Sequence, residues 1–248
     1  GQEKLDGVRA LLHVTPTGSF RFTTRGSTLG NPGTPIDITH RLPHLTKYKI
    51  PSMAGTVIDG ELLDLGRTSA EVAGIVSYKS MVPVPSSIHF YVFDVIRYKG
   101  SDLESYTLRH RLNYLQALSS LPGRIPSIHI VPVLYTTREK SALLDKVFAE
   151  GKEGIVLKNL TSLYFQGKKK AGTWYKVKRK DTLDAVITGS KPPEQYYKNT
   201  STGAIDSSRI TKPWGEGWLG SIEFAFEDDN GAIHSGYCSG LTDADRAM

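Results

Sequence analysis

The pattern KLDGVR at residues 4–9 contains the residue types that a nucleophilic lysine site requires. A lysine amine attacks phosphorus only when it is neutral, and nearby cations or a bound metal ion favour that neutral form. The Asp-Gly pair favours a tight turn that would hold Lys4 at a pocket wall. Arg9 adds a rigid fork of donors for hydroxyl or phosphate oxygens. In isolation, a strand, a turn and a solvated arginine explain the pattern equally well.

Four later segments, each predicted to contain a strand, carry charged or aromatic residues in a fixed order. They are Thr56–Leu62 with Asp-Gly-Glu, His89–Ile96 with Phe-Asp, Glu153–Lys158 with a leading carboxylate, and Trp174–Lys178. Alternation along the last strand places Lys176 and Lys178 on one face. Together with Lys4, these segments form a set that can bind a nucleoside triphosphate and transfer its α-phosphate.

In the order and spacing of these motifs, the chain resembles the ATP-dependent DNA ligases of the covalent nucleotidyltransferase superfamily, of the small viral, phage and bacterial kind. The five matching motifs are Lys4–Arg9, Asp59–Leu62, Phe93-Asp94, Glu153–Lys158 and Lys176–Lys178. A sixth, Thr24-Arg25-Gly26, is one residue shorter than the family's Ser-Arg-x-Gly turn, so only Arg25 is carried over. The resemblance implies an α+β chain. It would hold an ATP-grasp-like nucleotidyltransferase (adenylation) domain followed by a small all-β oligonucleotide-binding (OB) fold.

The resemblance also implies a role for the charged residues of the motifs. Lys4 would attack the α-phosphorus of ATP, expel pyrophosphate and hold AMP through a phosphoramide bond. Lys176 and Lys178 would stabilise charge on the α-phosphate and help to keep Lys4 neutral. Glu61 and Glu153 would bind Mg²⁺, or another divalent cation such as Mn²⁺, and Glu61 would also face the ribose.

For the adenosine part, the resemblance points to one aromatic ring, one amide and two arginines. Phe93 would stack on adenine, with Phe90 and Tyr91 as competitors and ordinary core packing as the alternative. Gln2 stands where the family places an adenine contact. The arginines that would contact the ribose or the 5′-phosphate of a nick are Arg9 and Arg25.

Amino-acid composition excludes or disfavours several other classes of protein. The net charge of +6 permits binding to a phosphate backbone, although many soluble proteins are as basic. A single cysteine, Cys238, excludes an intramolecular disulfide and a four-cysteine zinc site. NAD-dependent ligases carry such a zinc module, so the ATP-dependent branch is favoured. With no apolar run of roughly 18 residues and no signal-peptide pattern, we expect a cytoplasmic protein without membrane association.

The residue pattern changes from mixed helix and strand to all β, which predicts two domains, 1–182 and 183–248. In the first, helices are predicted over Thr107–Leu121, with a leucine stripe, and over Ser141–Glu150. The second is predicted to be all β, with a hairpin turn at 228–231. Within it, the polar segment 196–217 is predicted to be a long barrel loop.

Clustered cations suggest where nucleic acid would bind. Lys168, Lys169 and Lys170 form either a solvated loop or a ridge that faces DNA. Arg209 and Lys212 lie in the predicted 196–217 loop and are weaker candidates for DNA contact.

We therefore expect a monomeric ATP-dependent DNA ligase that seals nicks in double-stranded DNA and recognises backbone and helix form rather than base sequence. Three alternatives stay open: an mRNA-capping guanylyltransferase that uses GTP, an RNA ligase, and a non-catalytic nucleic-acid-binding module. Family members normally have a segment upstream of the lysine and a basic C-terminal motif, and the 248 residues contain neither. We expect a trimmed chain with weak self-adenylylation.

Overall fold

The computed structural model describes residues 1–24, 35–119, 123, 125–165, 172–179, 184–198, 204–228 and 230–247. The described residues up to Arg179 form one compact unit, and those from Asp184 onward form a second. The boundary predicted at 182–183 falls outside the described residues. In the part of the chain that the structure describes, no helix is long and apolar enough to cross a membrane.

The first unit mixes strands and helices. Its strands are β1 Gln2–Glu3, β2 Val8–Val14, β3 Phe20–Thr24, β4 Ile36–Asp37, β5 Val57–Leu63, β6 His89–Tyr98, β7 Ser101–Asp102, β8 Ile128–Ile130, β9 Gly154–Lys158 and β10 Trp174–Lys178. Its α-helices are α1 Pro43–Thr46, α2 Ser69–Val76, α3 Leu108–Ala117 and α4 Thr137–Ala149. Single 3₁₀ turns cover Thr39–Arg41 and Pro51–Met53.

Two sheets organise this unit. The larger has the antiparallel order β4-β3-β2-β5-β6-β7, and β8 pairs with β6 in parallel. The smaller has the antiparallel order β1-β9-β10, so the first residues of the chain are bound to a strand about 150 positions away. Apolar residues of the larger sheet and of α1 to α3 form the core, where Phe22 and Phe90 meet edge to face at 5.2 Å.

Both helices predicted from leucine and valine spacing are present, with different bounds. The helix predicted over Thr107–Leu121 is α3, and its Leu108, Leu112 and Leu115 are buried. The helix predicted to begin at Ser141 is α4, which begins four residues earlier. There the Thr136 hydroxyl and the Glu139 carboxylate cap each other's backbone N–H groups.

The second unit is mainly β. Its elements are β11 Val186–Lys191, β12 Tyr196–Lys198, β13 Ile205–Ile210, α5 Lys212–Gly215, β14 Ser221–Glu227, β15 Ile233–Cys238 and α6 Asp243–Arg246. Strands β11, β14 and β15 form one antiparallel sheet, in which β14 and β15 are the predicted hairpin. Arg246 ties α6 to this sheet, because its guanidinium donates to the carbonyls of Leu219, Gly220 and Ser239 at 2.6–2.8 Å.

The prediction of a long loop over 196–217 is wrong. Strands β12 and β13 pair there in antiparallel orientation, and α5 follows. Tyr197 and the β-branched Ile205 and Ile210 supply strand-forming side chains, and the Arg209 guanidinium lies 4.9 Å from the Tyr197 ring centre. The polar composition of the segment obscured these residues.

Candidate active site

Lys4 lies immediately after β1, at the edge of the smaller sheet. Its backbone N–H donates to the Gly154 carbonyl at 2.9 Å, which places its side chain beside Glu153. The Lys4 ammonium forms an ion pair with one oxygen of the Glu153 carboxylate, and the Lys178 ammonium pairs with the other oxygen. Only 12% of the Lys4 side chain is exposed. One carboxylate therefore holds two lysines from two of the predicted motifs.

Steric crowding explains why glycine follows Glu153 at the start of β9. Gly154 has φ +139°, and a β-carbon there would lie 2.0 Å from the Val177 carbonyl oxygen on β10. Only glycine fits this approach. The close contact brings the two strands together beside Glu153. Burial raises the pKa of the Glu153 carboxyl, but hydrogen bonds from Lys178 and Lys4 outweigh it and hold the pKa below its usual value.

Arg9 and Glu61 face each other on the larger sheet, as directly opposed residues of β2 and β5. Glu61 accepts a hydrogen bond from the Gly7 N–H at 3.2 Å. Burial raises the pKa of the Glu61 carboxyl, against the opposing effects of Gly7, Lys4 and Arg9. Arg9 forms a bidentate ion pair with the fully buried Asp59, with Nε at 2.9 Å from Oδ1. Sequence reasoning assigned no role to Asp59.

Phe93 projects from a β-bulge. Val92 pairs with Gly60 and Asp94 with Asp59, so Phe93 is the extra residue of β6. Its ring lies 5.8 Å from the Arg9 guanidinium and 6.2 Å, edge to face, from the Trp174 ring.

The two competing aromatic residues are engaged elsewhere. Phe90 is fully buried in the core, and Tyr91 stacks on His129 at 4.8 Å. Of the three candidates for base stacking, Phe93 is the one that borders the cleft.

Gln2 is 3% exposed, and its side-chain amide makes one hydrogen bond to a described residue. Its Nε2 donates to the Val131 carbonyl at 3.2 Å, and because a carbonyl only accepts, this contact fixes which way the amide points. Its Oε1 is buried and has no partner among the described residues. A buried acceptor without a donor is costly unless a ligand supplies one.

Lys158 is the last residue of the Glu153–Lys158 motif, and the sequence predicts no role for it. Its ammonium lies 4.6 Å from the Phe93 ring centre and 4.1 Å from that of Trp174. Burial lowers the pKa of Lys158 to about 8, against the opposing pull of Asp94 and Asp59. The period-two spacing of Val156 and Lys158 on β9 was the signal that both face the cleft.

These side chains line one open cavity of about 160 Å³ between the two sheets of the first unit. Its walls are Gln2, Glu3, Lys4, Leu5, Arg9, Glu61, Phe93, Val156, Lys158, Trp174 and Lys176. The structure thus brings together the predicted Gln2, Lys4, Arg9, Glu61, Phe93 and Lys176, and Glu153 and Lys178 join them through Lys4. Arg25 and Lys168 to Lys170 lie outside the described residues. Arg209 and Lys212 belong to the second unit.

The two carboxylates predicted to bind a divalent cation lie at this site, Glu61 in the wall of the cleft and Glu153 beside Lys4. Mg²⁺ prefers one or two carboxylates together with water and substrate phosphates, and Glu61 and Glu153 provide two carboxylates. Among the described residues, no group of three or more His, Cys, Asp or Glu side chains is placed to hold a metal by itself. This donor set suits a cation that arrives with a phosphate ligand.

Comparison with known proteins identifies the family of the chain. Residues 1–178 match the family model described as an ATP dependent DNA ligase domain. The chain belongs to this family, which confirms the resemblance drawn from its motifs. It is 34% identical over 219 residues to a probable DNA ligase of Kineococcus radiotolerans, an alignment that covers 82% of this chain and 39% of that protein. The chain thus spans about two fifths of the length of that relative.

Solved structures share the fold. The chain named Pmar-Lig_PreS3 superposes with a TM-score of 0.68 at 17% identity, over 99% of this chain and 53% of that one. A structure from a study of Lig E DNA ligases gives 0.60 at 20% identity, over 99% and 78%. The chain therefore shares the mixed helix and sheet fold of these solved ligase structures.

Proposed function

We propose that this chain contains the nucleotidyl-transfer centre of an ATP-dependent DNA ligase, with Lys4 as its nucleophile. Neutral Lys4 Nζ attacks the α-phosphorus of ATP, the bond to the bridging oxygen breaks, and pyrophosphate leaves as the nitrogen loses a proton. The observation that carries the proposal is the position of Lys4 in the cleft, where Glu153 joins it to Lys178. Residues from three motifs that are distant in sequence, Lys4, Glu153 and Lys178, therefore lie together.

The next two steps use the same cleft. AMP passes from Lys4 to the 5′-phosphate of a nick, and the 3′-hydroxyl then displaces AMP to join the strand. Each step is an in-line displacement at phosphorus, so positioning and charge neutralisation supply most of the rate. Lys176 and Lys178 supply fixed positive charge, and Arg9 supplies donors for ribose or phosphate oxygens.

The base-binding end of the cleft favours adenine over guanine. Gln2 Oε1 is an acceptor that needs a donor. Adenine offers an amino group at its six-position, whereas guanine offers a carbonyl oxygen, which would face Oε1 as a second acceptor. Phe93 supplies the ring on which the base stacks. These contacts support the ligase over a capping guanylyltransferase.

Glu61 and Glu153 would hold Mg²⁺, or a similar divalent cation such as Mn²⁺. When bound, the cation neutralises charge on the phosphates. Glu153 has a further role in this proposal. It orients Lys4 through their ion pair.

We further propose that residues 1–182 are the adenylation domain and 183–248 an OB fold that contacts nicked duplex DNA. Strand β13 and helix α5 support this, because they present Arg209 and Lys212 at the surface. Lys168 to Lys170 complete the proposed DNA contacts. We expect a monomer in the cytoplasm, and nicked RNA as a poorer substrate than nicked DNA.

The test is formation of the covalent intermediate. The chain is incubated with Mg²⁺ and either ATP or GTP, and intact-mass and peptide measurements locate any added nucleotide. We expect one AMP on Lys4 with ATP, none with GTP, and none in Lys4→Ala, while Lys146→Ala, an exposed lysine of α4, keeps the label. Labelling by GTP alone, or an AMP-bearing Lys4→Ala, would reject the proposal.

Sealing assays then separate the remaining candidates. The labelled chain is supplied with nicked DNA or nicked RNA that carries a 5′-phosphate. Transfer of AMP to DNA and joining of the strand support a DNA ligase, whereas transfer to RNA alone supports an RNA ligase. Failure of Lys4 to acquire AMP supports the non-catalytic binding module.

A further inference from the structure

The hydroxyl of Tyr164 lies between the two members of the Arg9–Asp59 ion pair. It accepts a hydrogen bond from Arg9 Nη2 at 3.0 Å and donates one to Asp59 Oδ2 at 3.0 Å. Asp59 is fully buried, so the Tyr164 hydroxyl donates to a carboxylate that is shielded from water. Burial, and then the Asp59 carboxylate, raise the pKa of the Tyr164 hydroxyl, so it stays protonated and can donate.

Tyr164 is anchored from outside the cleft. It belongs to the segment 160–165, which follows β9 and runs along the start of α3. The N–H groups of Leu108 and Arg109 donate to the carbonyls of Ser162 and Leu160 at 2.8 and 2.9 Å, and the Tyr164 N–H donates to the Glu104 carbonyl at 3.1 Å. The backbone therefore fixes the ring independently of Arg9.

A second ion pair supports the same ring. Asp94 pairs with Asp59 in the β5–β6 register, and it is bound by Arg111. The Arg111 guanidinium lies 5.6 Å from the Tyr164 ring centre. Tyr164 thus contacts two arginines, with its ring against Arg111 and its hydroxyl on Arg9.

Arg9 keeps one edge for a ligand. Its Nε and Nη2 are occupied by Asp59 and Tyr164, and no described residue accepts a hydrogen bond from Nη1. Arg9 also borders the cleft beside Phe93. An arginine fixed along one edge loses little freedom when its other edge binds an oxygen acceptor.

We propose that Tyr164 is a positioning residue that holds the Arg9 guanidinium for an oxygen acceptor on a substrate, either a ribose hydroxyl of ATP or the 5′-phosphate of the nicked DNA. This inference rests on the proposed function. Tyr164 touches neither the substrate nor the reacting atoms and acts through Arg9.

The experiment compares the unchanged chain with Tyr164→Phe, which removes only the hydroxyl. In one arm, formation of lysyl-AMP is followed against the concentrations of ATP, 2′-deoxy-ATP and 3′-deoxy-ATP. In the other, AMP transfer from preformed lysyl-AMP is followed against the concentration of nicked DNA. A hydrogen bond to a charged group predicts about a tenfold rise in KM in one arm, with kcat nearly unchanged.

The two arms identify the acceptor. If it is a ribose hydroxyl, the effect of Tyr164→Phe disappears with the deoxynucleotide that lacks that hydroxyl. If it is the 5′-phosphate, only the second arm responds. Tyr78→Phe, at an exposed tyrosine after α2, is the matched control and should change neither arm.

A double variant tests whether Tyr164 acts through Arg9. Arg9→Lys removes the guanidinium edge that Tyr164 holds, so Tyr164→Phe should cause no further loss in that background. A thermal unfolding midpoint within a few degrees of the unchanged chain checks the fold of each variant.

The outcomes separate the two proposals. If the unchanged chain labels Lys4 and Tyr164→Phe alters neither arm, or if its loss adds fully to that of Arg9→Lys, the role of Tyr164 is overturned and the ligase proposal stands. If the unchanged chain never labels Lys4, both fall.

Discussion

Asp94 and Arg111 form a fully buried bidentate ion pair, in which Nε and Nη2 of the arginine lie 2.9 and 3.0 Å from the two carboxylate oxygens. Arg111 Nη1 also donates to the Tyr106 carbonyl at 2.7 Å. The pair joins α3 to β6 one residue beyond Phe93. It therefore stabilises the strand that carries the proposed base-stacking ring.

Breaking this pair should destabilise the first unit. Asp94→Asn or Arg111→Met leaves a charge buried without its partner, which costs about 3–5 kcal/mol in the free energy of unfolding. Denaturant unfolding measures the loss. Lys212→Ala, which breaks an exposed ion pair with Asp243, is the control and should leave the unfolding midpoint in place. Equal small effects at Asp94 and Lys212 would contradict the prediction.

Glu153→Gln should slow lysyl-AMP formation strongly. The change removes the charge that orients Lys4 and replaces one carboxylate oxygen with an amide NH₂ group, and loss of one preorganised charge contact slows a reaction by about 10²- to 10³-fold. Single-turnover labelling with ATP measures the rate. Glu150→Gln, at an exposed carboxylate three residues earlier, should label at the unchanged rate. An active Glu153→Gln would mean that another residue orients Lys4.

Gln2→Ala should erase the preference for an adenine base. We expect the unchanged chain to favour ATP over inosine triphosphate, which carries a carbonyl in place of the amino group, by about tenfold to a hundredfold. In Gln2→Ala the two nucleotides should differ by only a few-fold, because the buried acceptor is gone. Labelling rates at low nucleotide concentration give the ratio. Gln116→Ala, on the exposed face of α3, should retain the preference.

Phe93→Leu should weaken ATP binding by about fivefold to 150-fold, since stacking of a base on an aromatic ring contributes about 1–3 kcal/mol. Phe93→Tyr keeps a ring and should bind nearly as well. Titration of ATP against the labelling rate measures both. Phe226→Leu, which removes a ring stacked on His234 in the second unit, serves as the control. Unchanged ATP binding by Phe93→Leu would assign Phe93 to packing alone.

The burial of Lys158 predicts a rise in stability with pH. Desolvation lowers the pKa of Lys158 to about 8 in the folded chain, whereas the pKa of a lysine in an unfolded chain is about 10.4. Between these values the unfolded state binds more protons, so the free energy of unfolding should rise with pH. Lys158→Met lacks this contribution, so the unchanged chain should gain stability relative to the variant from pH 8 to 10. A constant difference would show that Lys158 titrates normally.

Local features of the fold and of the candidate site could be predicted from the sequence more fully than tertiary features. Lys4, Glu153 and Lys178 lie in short motifs, so their shared site followed from residue type and order. The start of α4 could also have been predicted, because Thr136 and Glu139 have the spacing of a capping box. These signals need only neighbouring residues.

Features that depend on pairing between distant segments were not predictable. The choice of Phe93 over Phe90 and Tyr91 depends on a bulge in the β5–β6 register. The contact of Tyr164 with Asp59 joins residues 105 positions apart, and no local pattern marks it. The pairing of β12 with β13 was missed because polar residues in this part of the sequence outnumber the few that form strands.

The orientation of Gln2 is imposed by a main-chain oxygen, that of Val131. A peptide carbonyl is present whatever amino acid is encoded at position 131. Exchanging the Val131 side chain for another of similar size should therefore leave the preference for ATP intact. Any change that shifts the backbone after β8 should weaken this preference. The proposed selectivity for adenine would therefore depend on backbone geometry. Comparing the amino acids found at position 131 would not reveal it.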